Sequence, residues 1–240
     1  MNDRDRIAKR LSRAGVASRR AAERMIAAGR VTVNGTVIDT PATLVGDRDR
    51  ILVDGREIAQ PDRPRLWRYH KPPGLVTSES DEKGRATVFS ALPPDLPRVM
   101  SVGRLDLNSE GLLLLTNDGG LKRRLELPTT GWLRKYRVRV KGTPREADLA
   151  PLRAGVVVDG TRFRGMEVQI DRQQRANAWL TLGLREGKNR EIRRALSDAG
   201  FEVNRLIRIS FGPFRLGALK AGAVEAVKPR ILRDQLGLDA

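Results

Sequence analysis

Residues 103–119 read GRLDLNSEGLLLLTNDG, and no other stretch constrains the fold so strongly. Leu112–Leu115 form an unbroken apolar run, while Arg104, Asp106, Asn108, Ser109 and Glu110 crowd its entrance. A run of that length is far too short to span a bilayer, which takes about 20 apolar residues in a helix. It reads instead as a strand, 111–116, entering a core, with a polar loop held at its mouth. A strand that only had to be buried would not need that polar crowd.

The chain carries 46 Lys+Arg against 29 Asp+Glu, a formal charge of +17, with 40% apolar residues. That is too much hydrophobicity for a disordered polycation and enough for a folded, basic protein with a polyanionic partner. A membrane surface is the poorer fit, because no long apolar or bulky amphipathic segment is present. No apolar core follows the charged start MNDRDRIAKR, so no secretory leader is expected. The absence of cysteine excludes disulfides and thiolate zinc sites, and the single histidine, His70, excludes a multi-histidine metal site. The expected setting is a reducing cytoplasm, and nucleic acid is the favoured partner.

The pattern divides into residues 1–60, a proline-containing linker at 61–65 (in AQPDRPR), and residues 66–240. In the first unit, RIAKRLSRAG and SRRAAERMIAAG are short amphipathic helices stopped by Gly15 and Gly29, with Ser18 as N-cap of the second. Asn34-Gly35 and Asp54-Gly55 each sit between alternating apolar residues and predict two small strand pairs. Arg19, Arg20 and Arg24 fall opposite the apolar stripe of the second helix, and Arg30 lies just beyond it. They read as a solvated face or as an RNA-binding one. The larger unit predicts strands at 66–70, 99–102, 111–116, 133–141, 164–170, 177–184 and 203–209. Helices are expected near 118–126, near 144–153 and at 188–199, with one last helical turn in the 228–240 tail. Strands outnumber helices without regular alternation, which predicts an α+β fold around a mixed, mainly antiparallel sheet with flanking helices.

Asp106 follows Arg104 in the loop between two expected strands. A carboxylate there either binds backbone N–H groups of its turn or does chemistry, since a neighbouring arginine keeps a carboxylate ionised and oriented. Tyr136, in WLRKYRVRVKG, shares one strand face with Arg134, Val138 and Val140. It is either a core tyrosine or a flat surface for an unstacked base. Lys188, Arg190 and Arg193, in LREGKNREIRRALSDAG, gather at an expected helix N-terminus, as a phosphate site or as a basic helix face.

Together these segments resemble the ribosomal RNA pseudouridine synthases that act on single uridines. The 103–119 stretch is similar to that family's aspartate signature, and HKPPGLVTS, KYRVRVKG and EGKNREIRRAL…NRLIRISFGPFRLGALKAG are similar to three further motifs in the same order. RIAKRLSRAGVASRRAAERMIAAGRVTVNG resembles the S4 RNA-binding domain at the front of one branch. The resemblance runs over roughly residues 5–230. It implies Asp106 as the catalytic aspartate, Tyr136 as the tyrosine against the target base, and Arg193 as the basic residue paired with the aspartate. It further implies Lys71, Arg104, Lys188 and Arg190 as substrate-binding, Leu206 and Ile207 as lining of the base pocket, and Ser18, Arg19, Arg20, Arg24 and Arg30 as RNA-binding.

The reaction so implied breaks N1–C1′ of a flipped uridine, turns the uracil and joins C5 to C1′. Nothing is added or removed, so the expectation is no cofactor and no metal. Attack of Asp106 on C1′ and abstraction of the C2′ proton are both compatible with the sequence. The wording NSEGLLLLTNDG is closer to the large-subunit enzymes. The expected partner is ribosomal RNA or a ribosomal assembly intermediate, met by a monomer. Two other readings share the charge: a non-catalytic RNA-binding assembly factor, and a basic DNA-binding protein. Neither gives the 103–119 pattern a purpose.

Overall fold

A computed structural model describes residues 4–238. In the first unit β1 (Asp5–Arg6) leads into α1 (Ile7–Arg13), followed by α2 (Arg19–Ala27), β2 (Val31–Val33), β3 (Thr36–Val37), β4 (Leu44–Val45), β5 (Ile51–Val53) and β6 (Arg56–Glu57). The Ser18 hydroxyl accepts from the Ala21 N–H at 3.2 Å, satisfying one of the orphan donors of α2. Asn34 and Gly35 have φ of 51° and 86°, and Asp54 and Gly55 have 51° and 76°, the paired positive values that a type I′ hairpin turn requires. Ile7, Leu11, Ala22, Ile26, Val31, Val45 and Ile51 close a small core of their own. No regular secondary structure is present from 58 to 65. The Arg13 Nε lies 3.3 Å from Asp118 Oδ2, an ion pair between the first unit and the second.

The second unit contains β7 (Leu66–Lys71), β8 (Met100–Val102), β9 (Glu110–Thr116), α3 (Gly119–Glu126), β10 (Arg134–Lys141), α4 (Glu146–Ala154), β11 (Val156–Val158) and β12 (Thr161–Phe163). It continues with β13 (Glu167–Gln174), β14 (Asn177–Leu184), α5 (Glu191–Asp198), β15 (Val203–Phe211), β16 (Phe214–Arg215), β17 (Val224–Ala226) and α6 (Pro229–Leu236). Nine of these strands form one sheet in the order β13-β14-β10-β15-β9-β7-β17, with β16 on β15 and β8 on β9. Its ladders are antiparallel except for the short parallel join of β15 to β9.

The leucine run is explained by a sheet covered on both faces. Leu113 and Leu115 enter one core with Tyr136, Val138, Leu180 and the α4 and α5 leucines. Leu112 and Leu114 enter another, with Leu121 and Leu125 of α3 and Leu232 and Leu236 of α6. All four leucines are 0% exposed, and burying them is worth about 6–12 kcal/mol as an upper bound. Among the described residues no helix is long and apolar enough to cross a membrane.

The expected helix at 188–199 begins only at Glu191, because Arg190 adopts the left-handed backbone, φ 49°, which a right-handed helix cannot include. The expected strand at 164–170 is shifted to Glu167–Gln174, and residues 161–163 join a separate hairpin with 156–158. The tail forms a full helix, α6, rather than one turn.

The parallel join depends on Gly111. Its φ is +103°, and a Cβ there would lie 2.4 Å from the Arg208 carbonyl oxygen and 2.7 Å from the Arg208 nitrogen. Gly111→Ala must therefore separate β9 from β15. Strain and overpacking together are expected to cost about 3 kcal/mol, or about 10 °C in Tm, measured as the thermal transition of the larger unit.

Candidate active site

The polar loop between β8 and β9 is pinned through its own backbone. Thr77 Oγ1 donates to the Leu105 carbonyl at 2.8 Å and accepts from the Leu105 N–H at 3.3 Å. The Asp106 carbonyl accepts from Ser109 N–H at 3.0 Å and the Leu107 carbonyl from Gly74 N–H at 2.8 Å. Arg193 Nη2 donates to the Asn108 carbonyl at 3.0 Å. Gly103 N–H donates to Glu126 Oε1 at 2.7 Å. With each of these groups held, the loop has little freedom, and the Asp106 side chain is presented from a fixed point, 24% exposed.

Beneath the loop lies Lys71, 0% exposed. Its ammonium donates to the carbonyls of Pro72 at 3.0 Å, Leu107 at 3.3 Å and Ser109 at 2.8 Å. Burial pushes its pKa down to about 8, while the carboxylates of Asp106 and Glu110 pull it back up. Of the two roles open to Lys71 and its motif, meeting the substrate or shaping a loop, the burial and the three carbonyl bonds favour the second. Glu110, at the loop's end, is held by Arg205 through two bonds of 2.6 and 3.0 Å, which keeps its carboxyl below the usual range.

The arginine within ion-pair distance of Asp106 is Arg190, with Nη1 3.9 Å from Oδ2. Arg190 is the residue before α5 and adopts the left-handed backbone, φ 49°. Arg193, for which that pairing was expected, spends its guanidinium on the carbonyls of Asn108 and of Val203, each at 3.0 Å. Burial lowers its pKa, and Arg190 lowers it further. One arginine thus faces the carboxylate and the other ties the carboxylate's loop to β15. The two also share a cavity of about 340 Å³ with Val158, Asp159, Arg194, Ser197 and Asp198.

Lys188 turns away from this place. Its ammonium donates to the Arg162 carbonyl and pairs with Glu186 at 3.1 Å. The expected phosphate site at the start of the helix is taken up internally by the Glu191 carboxyl, only 3% exposed and pushed up to about 7 by burial and by Glu186 beside it. Arg104 is exposed and makes no hydrogen bond or ion pair among the described residues.

Tyr136 sits at the edge of the core, 9% exposed, on the same face as Val138 and Val140. No hydrogen bond holds its hydroxyl among the described residues, which leaves that group free at the core's edge. Leu206 joins the same core, whereas Ile207 packs against the core on the other side. Successive strand residues face opposite ways, so the arrangement favours core packing for the pair, the alternative to a shared base pocket. On the first unit, Arg19, Arg20 and Arg24 are exposed and unpaired among the described residues. Ser18 is spent as a cap, and Arg30 is bound to Asp54, with Nε to Oδ1 at 2.8 Å. The contribution of Thr77 has no sequence signal beyond its place in HKPPGLVTS, whereas the Asn108–Glu110 stretch was expected to shape the turn that presents the carboxylate.

Fold and site together define a mixed-sheet domain that presents a pinned aspartate, preceded by a small helix-and-hairpin module with an exposed basic helix face. A family model described as RNA pseudouridylate synthase matches residues 65–198, and one described as S4 domain matches residues 5–51. The chain belongs to the RNA pseudouridine synthase family. It is 46% identical over 231 residues to an uncharacterised RNA pseudouridine synthase of Rickettsia prowazekii, covering 96% of this chain and 97% of that one. It is 41% identical over 251 residues to the ribosomal large subunit pseudouridine synthase B of Haemophilus influenzae, covering 98% of this chain and 69% of that one. A crystal structure of a pseudouridylate synthase superposes with a TM-score of 0.66 at 21% identity, over 96% of this chain and 97% of that one, which shows the shared fold.

Proposed function

We propose that this protein converts one uridine of large-subunit ribosomal RNA to pseudouridine, with Asp106 as the group that acts on the ribose. The observation that carries the reading is the Asp106 carboxylate, facing Arg190 from a loop whose carbonyls are fixed by Lys71, Thr77 and Arg193. The large-subunit preference is supported by the relatives named for that subunit.

The target nucleotide leaves its stack at a cost of about a few kcal/mol, offset by phosphate contacts on the basic surface, for which the exposed, unpaired Arg104, two residues before Asp106, is a candidate. Tyr136 receives the flipped uracil. Asp106 then drives cleavage of N1–C1′, by attack on C1′ or by taking the C2′ proton. The uracil turns, C5 bonds to C1′, the C5 proton leaves and N1 ends protonated. Atoms balance with no co-reactant.

The test is a map of pseudouridines across ribosomal RNA from cells with and without the gene. One large-subunit position losing the modification, and regaining it when purified protein is added to the unmodified RNA, is the expected result; an unchanged map sinks the proposal. Within the same reading, Arg20→Glu with Arg24→Glu is expected to raise KM about tenfold by removing phosphate contacts while leaving kcat alone. Steady-state kinetics on the same RNA separate the two constants.

A further inference from the structure

The sheet is covered unevenly. On the side of Tyr136, α4 and α5 leucine and isoleucine side chains pack against β10, β14 and β15. On the reverse side, α3 and α6 cover only the β7–β9 half. The reverse face of β13, β14 and β10 carries no helix, and its exposed charges are Lys135, Arg137, Arg139, Lys141 and Arg172 against Glu167 and Asp171, with the carboxylates confined to β13 and the cations concentrated on β10.

Along β10, burial alternates strictly: Tyr136, Val138 and Val140 are buried, while Lys135, Arg137, Arg139 and Lys141 are exposed. Successive charges on one strand face lie about 6.7 Å apart, so the row covers about 20 Å. Arg139 stands directly opposite Arg205 on β15, and exposed Arg172 of β13 stands opposite Trp179 of β14. Like charges placed so close destabilise a sheet unless something answers them. The protein answers only some. Glu110 holds Arg205, and Asp171 lies 3.9 Å from Arg137. Lys135, Arg139 and Lys141 have no side-chain partner among the described residues.

The aromatic on this face is also informative. The guanidinium of Arg137 lies 4.9 Å from the Trp179 ring centroid. That stacking occupies the ring face a base would need and holds the guanidinium in place over the sheet. The chemistry offered outward is a rigid row of cations without a stacking platform, which suits phosphates and reads no base.

We propose that this open face is a second RNA-binding surface, gripping the sugar–phosphate backbone of a segment away from the target uridine. It lies on the reverse of the sheet from Tyr136, so it is separate from the contacts that hold the flipped nucleotide. The inference rests on RNA as the substrate of the family but not on which uridine is modified.

The experiment compares the full chain with Lys135→Gln/Arg139→Gln/Lys141→Gln and with a control of equal charge, Lys83→Gln/Arg123→Gln/Arg124→Gln. Binding to deproteinised large-subunit ribosomal RNA is measured from low to moderate salt, with Tm confirming the fold. The sheet variant is expected to bind about tenfold more weakly and to lose about two to three from the slope of log K against log salt, with the control nearly unchanged. Equal loss in both variants, or none in the sheet variant, overturns the proposal. So does unchanged RNA affinity accompanied by lost binding to phosphatidylserine vesicles. If the wild-type protein forms no pseudouridine while the sheet variant still binds RNA more weakly, only the proposed activity falls.

Discussion

Asp106→Asn is expected to lower the rate of pseudouridine formation by at least about 10⁴-fold while leaving Tm and RNA affinity unchanged, the size of loss typical of removing one indispensable reacting group. The substitution keeps the shape of the side chain and removes its charge. The hydrogen bonds that hold the loop run through its backbone: Ser109 N–H binds the Asp106 carbonyl, and Lys71, Thr77, Gly74 and Arg193 bind the backbone groups of its neighbours, so the charge bears on the loop only through its field at Lys71 and Arg193. Loss of the ion pair with Arg190, 3.9 Å long and partly exposed on both sides, costs about 0–1 kcal/mol. Attack on C1′ and abstraction of the C2′ proton both require a carboxylate oxygen, so the prediction holds for either route. Nucleoside analysis of treated RNA, beside a binding curve, is the measurement. An active Asn variant removes Asp106 from the mechanism, and a variant that neither folds nor binds would mean that the charge holds the loop together.

How far the sequence could be read follows from the range of the interactions. Local signals sufficed for the Asn34-Gly35 and Asp54-Gly55 turns, for Ser18 as a cap and for the alternation of β10, since each is decided within a few residues. The leucine run announced a buried strand, but its division between two cores needed α3 and α6 in place. The pairing of β17 with β7 joins residues more than 150 positions apart and has no local signature. At the site, Asp106 and Tyr136 drew notice from the polar crowd around one and the scarcity of aromatics around the other, but their roles were implied by the resemblance and not by spacing. Which arginine meets the carboxylate was not legible. Three arginines stand within five residues, and the left-handed backbone of Arg190, with α5 starting at Glu191, sends Arg190 to the carboxylate and Arg193 to Asn108. The same limit applies to Lys71, where the motif left substrate contact and loop-shaping both open and burial favours the second, support of the loop.

That support sets the second large effect. Lys71→Ala is expected to destabilise the larger unit by about 3–5 kcal/mol and to lower kcat about 100-fold, with a smaller change in KM. The ammonium is 0% exposed and satisfies the carbonyls of Pro72, Leu107 and Ser109. Alanine leaves the Pro72 and Ser109 carbonyls without that donor, leaves the Leu107 carbonyl with Gly74 N–H alone, and opens a cavity beneath the residues on either side of Asp106. A merely structural lysine would lower stability and leave kcat per folded molecule alone, so the kcat of the folded fraction distinguishes the two. The pH dependence adds a second readout. With a folded pKa of about 8 against 10.5 unfolded, the unfolded chain holds more protons between those values, so the Lys71 contribution to stability rises as pH increases through that window. Activity should move the other way. Above about pH 8 the neutral amine has one donor fewer for three carbonyls, the loop loosens, and the rate falls even as that contribution grows. A rate that tracks stability upward through this range would show that the lysine does not act through the position of Asp106.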